Sequence, residues 1–250
     1  MPMTAPIPAA ILADVRVLPP GGLNTTIYLD LNRFSRHTAW AHGFMHTYAL
    51  WLGPALLVAV FLVAYAVAWW QRAPRATMLL AIGGVGTLVA LGINQVVGHA
   101  AKELRPYATH PNVLVLVAKS GDYSFPSDHA VLAGALLTSV LIVIGRASWE
   151  TRAGGVAGTT SATTTAASGK VSPVVLFLGV LGVILGLFLC FARVYVGAHY
   201  PGDVVAGVLL GAVVVIVMSL LRPFAWRLAD LADTRSAGVL LRRPGHRRAH

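Results

Sequence analysis

The sequence predicts an all-α fold: a polytopic transmembrane helical bundle of about five spans, preceded by an N-terminal interfacial helix. Composition points there first. Hydrophobic residues make up 56% of the 250 positions and charged residues 11%, where soluble domains carry about 25%, and mean hydropathy is +0.72. Five apolar stretches also reach the roughly 20 residues that a hydrocarbon core of about 30 Å demands. They occupy so much of the chain that no water-soluble domain of ordinary size remains.

Taken in order, Leu23 to His37 mixes Ile27, Leu29, Leu31 and Phe34 with Asp30, Arg33 and Arg36. That pattern is too polar to span and suits a helix lying at the interface. The N-terminal region lacks the basic start, apolar stretch and small-residue cleavage site of a secretory signal. The spans are Tyr48 to Trp70, Met78 to Val97, about Phe125 to Gly145, Val174 to Ala192, and Asp203 to Leu221. Only the third and fifth carry Asp, Glu, Lys, Arg or His, and those sit in their first turns. Ala153 to Gly169 is nearly all Gly, Ala, Ser and Thr, which reads as a flexible cytoplasmic linker. The organisation is therefore a tail and interfacial helix over 1–47, a membrane domain over 48–221 with a flexible loop at 146–172, and a basic tail over 222–250.

The net charge of +10 and isoelectric point near 10.5 raise the question of nucleic acid. The basic residues are not interleaved with aromatics on one amphipathic segment, and their distribution follows membrane side instead. Arg72 and Arg75, the three basic residues from Arg146 to Lys170, and seven arginines of the tail place twelve of the nineteen on alternate connections. Those connections are expected in the cytoplasm. Arg16, Arg33, Arg36, Lys102, Arg105, Lys119 and Arg193 fall on the other side.

Several features are read as structural. Gly83, Gly84, Gly86, Gly179, Gly182, Gly186, Gly207 and Gly211 let helices approach closely in lipid. Lone Cys190 is an apolar filler. His37, His42, His46 and His110 serve as interfacial anchors or turns, as do Trp69, Trp70 and Trp226, and His246 and His250 belong to a solvated tail. Asn94 and Gln95 are expected to hydrogen-bond between helices. The chain has no zinc-type Cys and His spacing, P-loop or exposed serine nucleophile elbow.

Ionisable groups at a span are costly unless paired or facing water, so each cluster of them is a candidate site. Three stand out: Gly98 to Tyr107, Asp122 to Ala130, and Arg193 to Asp203. The predicted topology brings all three to the outer face. Pro126 and Pro201 suit the first turns of spans three and five, whose amides and positive dipole ends make an anion site. Lys102 and Arg105, three apart, are expected on one helix face, and with Arg193 they add charge and forked donors for a phosphate. His199 precedes Asp203 by four residues, so the carboxylate reaches back to fix the ring and leaves the other nitrogen to attack. His129, in the first turn of span three, is placed to protonate a leaving oxygen. His99 is a candidate for supporting the site.

Together these clusters resemble the three-part motif of the type 2 phosphatidic acid phosphatase (PAP2) superfamily of integral membrane lipid phosphatases. Arg105-Pro106 matches the end of the first part, Pro126-Ser127 and His129 the second, and Arg193, His199 and Asp203 the third. Three positions depart from the pattern. Gly98 stands where the family has lysine, which Lys102 would replace from one turn later; Ala192 stands for a serine; and Asp128 stands for a glycine. Pro-Ser-Asp-His is similar to the form in bacitracin-resistance type undecaprenyl pyrophosphate phosphatases.

The resemblance implies that His199 is the nucleophile forming a phosphohistidine, Asp203 its orienting partner, and His129 the acid and later the base for water. It implies that Arg105, Arg193, Ser127 and Lys102 hold the phosphate, with Asp128, His99 and Tyr107 supporting and neither metal nor cofactor required. The expected reaction is undecaprenyl diphosphate to undecaprenyl phosphate at the outer face of a plasma membrane. A broad phosphatidic acid or phosphatidylglycerol phosphate phosphatase is the alternative, and a non-catalytic lipid-binding protein a more distant one. The expected partners are the lipid substrate and the bilayer, with nucleic acid excluded.

Overall fold

In a computed structural model the chain is described over residues 22–156 and 173–240, and its side chains over 22–146 and 173–221. The described residues form helices and no strand. Helix α1 spans Leu23–His37, and a continuous rod then runs from a 3-10 turn at Ala39–Ala41 through α2 (His42–Thr47) and a π turn (Tyr48–Leu52) into α3 (Gly53–Trp70). Helix α4 is Pro74–Ala101, α5 is the short Pro106–Thr109, α6 is Asp128–Val156, α7 is Pro173–Tyr195 and α8 is Pro201–Leu240.

Five helices are long and apolar enough to cross a membrane, over Ala39–Trp70, Pro74–Ala101, Asp128–Arg146, Pro173–Tyr195 and Pro201–Leu221. These are the five expected spans, the first starting nine residues earlier than Tyr48. Their outward faces are aliphatic: Leu62, Leu88, Val96, Leu187 and Leu209 are more than half exposed, as lipid-facing side chains are. The chain is a multi-pass membrane protein.

Helix α1 turns Thr25, Tyr28, Asn32 and Ser35 inward and leaves Leu23, Ile27 and Phe34 outside. This inverted amphipathicity fits a helix with protein beneath it and lipid around it. Asn32 exchanges two bonds with the Leu114 main chain, Nδ2 donating to its carbonyl at 2.7 Å and Oδ1 accepting from its amide at 3.0 Å.

Helices α6 and α8 run longer than the sequence predicts. Helix α6 continues past Gly145 to Val156, through Gly154 and Gly155 despite their low helix propensity, and α8 continues 19 residues past Leu221. The 40 residues of α8 extend about 60 Å, roughly twice a hydrocarbon core. The N-terminal tail before Gly22, the linker beyond Val156 and the tail beyond Leu240 lie outside the described residues.

Close packing of α6 on α8 governs the site. A Cβ on Gly211 would fall 2.2 Å from the Val131 carbonyl oxygen, and one on Gly134 would fall 2.2 Å from that of Val208. The backbones touch because neither glycine carries a side chain. Of the eight glycines assigned to packing, Gly84 has only ordinary contacts, 3.5 Å from Phe61. Gly211→Ala is expected to cost about 1–3 kcal/mol by prying α6 from α8, with turnover falling in step. A thermal melt in detergent checks this, with Gly92→Ala as control because a Cβ there meets nothing within 4 Å.

Candidate active site

The end of the bundle that carries the C-termini of α4 and α7 and the N-termini of α6 and α8 brings the three clusters together. Helix α7 closes in a turn at Gly197, where a φ of +80°, and the 2.6 Å at which a Cβ would fall from the Leu114 carbonyl oxygen, admit only glycine. This turn folds the next residues back beneath the loops at this end of the bundle, and Pro201 restarts the chain as the first residue of α8. The Tyr28 hydroxyl donates to the Gly197 carbonyl at 3.4 Å, so α1 braces the turn.

His199 occupies the centre and is 3% exposed. Its Nδ1 lies 2.8 Å from the Ser124 carbonyl oxygen. A carbonyl can only accept, so Nδ1 carries the proton and Nε2 keeps its lone pair. Two guanidinium groups converge on that bare nitrogen: Arg193 Nη2 at 3.2 Å and Arg105 Nη1 at 3.4 Å. Burial, and then the Arg193 and Arg105 charges, push the His199 pKa down to about 4 against an opposing pull from Asp203. The imidazole is therefore neutral and nucleophilic throughout the physiological range.

Asp203 orients the ring at one remove. Its Oδ2 lies 3.6 Å from His199 Nδ1, beyond hydrogen-bonding distance. That oxygen instead accepts from the Ser124 hydroxyl and, at 2.9 Å, from the Tyr200 amide. Ser124 thus joins carboxylate and imidazole, its hydroxyl on one and its carbonyl on the other, while its own amide donates to the Glu103 carbonyl at 2.8 Å. The sequence reading missed the Ser124 carbonyl because any residue can supply one, and the hydroxyl contact because Asp203 lies 79 residues away.

The two arginines are fixed by main-chain carbonyls. Arg105 donates from Nε to Asp122 at 3.2 Å and from Nη1 to Ala198 at 3.3 Å. Arg193, 5% exposed, donates from Nη1 to Ala49 at 3.3 Å, and its Nε has no partner. Ser127 caps α6: its carbonyl accepts from Ala130 and Val131, and its amide donates to the Asp203 carbonyl at 3.1 Å. The Ser127 hydroxyl is buried without a partner, a group that a bound phosphate oxygen would satisfy. His129, the second residue of α6, lies against the Leu50 main chain and within electrostatic reach of Arg193, His199 and Arg105.

Beside this cluster opens a cavity of about 600 Å³ walled by Gly98, His99, Arg105, Tyr107 and Asp128, among others. Asn94 and Gln95 do bond between helices, donating to the Asp128 carboxylate at 2.7 and 2.9 Å. His99 turns back to its own helix, Nδ1 meeting the Gln95 carbonyl at 2.7 Å. The Tyr107 hydroxyl bonds Ser120 at the rim, donating to its carbonyl at 3.0 Å and accepting from its amide at 2.9 Å.

Three expectations need correction. Lys102 and Arg105 share no helix face, because α4 stops at Ala101, Lys102 caps it in the left-handed region (φ 49°) and Arg105 is extended. The chain straightens there as Arg105 approaches Pro106, which disfavours the helical conformation in the residue before it. Lys102 is also not among the residues lining the cavity. Pro126 lies two residues ahead of α6 rather than in its first turn, a place taken by Asp128 after the Ser127 cap. Finally, the α8 start offers no open amide row for an anion. The Gly202 amide donates to Asn24 Oδ1 at 2.7 Å, and those of Asp203 and Val204 donate to the Tyr200 carbonyl.

The family model of the PAP2 superfamily matches residues 76–227. Among characterised proteins, the chain is 23% identical over 185 residues to the bacitracin transport permease protein BcrC of Bacillus licheniformis, covering 73% of this chain and 74% of that one. It is 26% identical over 209 residues to the undecaprenyl-diphosphatase BcrC of Bacillus subtilis (strain 168), covering 81% and 88%. Among solved structures, it superposes on a transmembrane PAP2 type phosphatidylglycerolphosphate phosphatase from Bacillus subtilis with a TM-score of 0.52 at 16% identity, covering 86% of this chain and 91% of the other.

Proposed function

This chain belongs to the PAP2 superfamily and is a membrane lipid phosphatase, and on that premise we propose that it hydrolyses a polyprenyl diphosphate, undecaprenyl diphosphate, to the monophosphate through a phosphohistidine. The observation that carries the chemistry is the polarity of His199, with Nδ1–H bound to a carbonyl and bare Nε2 facing two guanidinium groups.

Nε2 attacks the terminal phosphorus, forming the N–P bond as the bridging P–O bond breaks. His129 gives its proton to the leaving lipid monophosphate. It then takes one from water, whose oxygen displaces His199 and releases inorganic phosphate. Arg105, Arg193 and the Ser127 hydroxyl hold the phosphoryl oxygens as their charge redistributes, and Asp203 acts through Ser124 to keep the ring aligned. Likeness to undecaprenyl-diphosphatase BcrC over most of both chains supports the diphosphate substrate.

The twelve basic residues on the far connections support a site on the extracytoplasmic side of the plasma membrane. The test is phosphate release by purified protein from undecaprenyl diphosphate, phosphatidic acid and phosphatidylglycerol phosphate, with and without a chelator. The expected result is highest kcat/KM on the diphosphate, unchanged by chelation. Preference for either glycerolipid would move the substrate assignment, and chelator-sensitive turnover would refute the metal-free route.

A further inference from the structure

Pro54 sits at the sixteenth position of the 32-residue rod Ala39–Trp70, where a proline ordinarily breaks the hydrogen-bond ladder. Here the helix has already changed register. The Gly53 amide donates to the Tyr48 carbonyl, five residues back, instead of to Ala49, four back. The next residue, Pro54, has no amide hydrogen to give. It is the π-register donor position for Ala49 and the α-register donor position for Leu50. Both of these carbonyls face the active site: Ala49 accepts from Arg193 Nη1 at 3.3 Å, and the Leu50 main chain lies against the His129 ring. A single turn of the first span, far in sequence from all three motifs, thus holds one phosphate-clamp arginine and the acid–base histidine.

We propose that Pro54 is a positioning residue: by withholding an amide hydrogen it keeps the Ala49 and Leu50 carbonyls open as acceptors that orient Arg193 and His129. The inference rests on the phosphatase reading above, because it assigns work to those two side chains. Local geometry restricts the alternatives. A Cβ on Gly53 would fall 2.8 Å from both the Tyr48 carbonyl oxygen and Leu189 Cδ1, so α7 presses on this turn from the side that carries Arg193. A π turn inside an α-helix frequently marks a functional position, and here its freed acceptors have identified users. With an amide at position 54, the helix can recapture one of these carbonyls. Arg193 and His129 would keep their places in the sequence but lose a fixed direction, which weakens the transition state more than initial binding.

The experiment compares wild-type full-length protein in nanodiscs with Pro54→Ala and with a protein carrying lactic acid at position 54. Lactic acid has alanine's methyl group but an ester oxygen in place of N–H. The expected result for Pro54→Ala is a kcat lower by about 10- to 100-fold with KM within about threefold, while the lactic acid protein stays within about threefold of wild type. Equal losses in both variants would mean that the ring matters rather than the missing N–H, and would overturn the proposal. So would unchanged turnover in Pro54→Ala. If Pro54→Ala fails to fold, a folded and active lactic acid protein upholds the proposal, and failure of both variants overturns it. Wild-type protein that releases phosphate from none of the three lipids would refute the phosphatase reading, and the proposal with it.

Discussion

His199→Gln is expected to lower kcat by at least about 10⁴-fold and to leave lipid binding within a few-fold of wild type. Glutamine is similar in reach, and its amide can still donate to the Ser124 carbonyl that holds Nδ1 in the native protein. What it lacks is a nucleophilic nitrogen beneath the two guanidinium groups. The position is 3% exposed, so water does not readily enter to replace the ring. On the proposed mechanism substrate affinity comes mainly from Arg105, Arg193 and the lipid chain, none of which the substitution removes. Steady-state phosphate release and equilibrium binding of the lipid check both halves. Turnover within tenfold of wild type would refute a histidine nucleophile.

The second large effect is at Arg193. Arg193→Met is expected to reduce kcat/KM by about 10³-fold, because it removes a fixed donor from the phosphoryl oxygens in a site shielded from water. Arg193→Lys is expected to recover little of this, since one ammonium cannot span the 3.3 Å contact to Ala49 and the 3.2 Å contact to His199 as a guanidinium fork does. The pH dependence separates charge from geometry. A positive charge beside His199 disfavours the imidazolium, and together with burial it holds the pKa near 4. Removing it in Arg193→Met moves the acid limb of kcat/KM upward from about pH 4 toward the ordinary histidine value, whereas Arg193→Lys leaves the limb low. Asp203→Asn removes a group that favours the imidazolium, so its limb moves the other way. Profiles of kcat/KM against pH for the three variants check the sign of each shift.

Sequence made the scaffold legible where the physical signal is carried by residue type. The five spans follow from apolar length, and α1 has the ends expected from its mixed pattern, Leu23 and His37. Convergence of three clusters at one end follows from counting crossings. Asn94 and Gln95, polar groups within an apolar helix, do bond across to α6.

The main-chain contributions were not legible. Ser124 binds His199 and Ala49 binds Arg193 through a main-chain carbonyl, a contact that leaves no mark in residue type. The Ala49 carbonyl is set by a π turn whose sequence trace is Gly53-Pro54. The Lys102 expectation failed for a related reason. Spacing of three predicts a shared face only while the helix lasts, and α4 ends one residue before Lys102. Asn24 shows the same limit from the other side. It satisfies an α8 amide 178 residues away, so an expected anion-binding helix start is already occupied.

The most direct test of the central claim is single-turnover trapping of the phosphoenzyme. Undecaprenyl diphosphate labelled with ³²P on its terminal phosphate is mixed with excess protein and quenched in alkali at intervals, and the labelled peptide is then mapped. A histidine phosphoramidate survives alkali and is lost in acid, which distinguishes it from a serine ester. The account predicts label on His199 that rises and decays at rates consistent with kcat, and no label in His199→Gln. Full turnover without a labelled protein at any interval, or label on a residue other than His199, would contradict it.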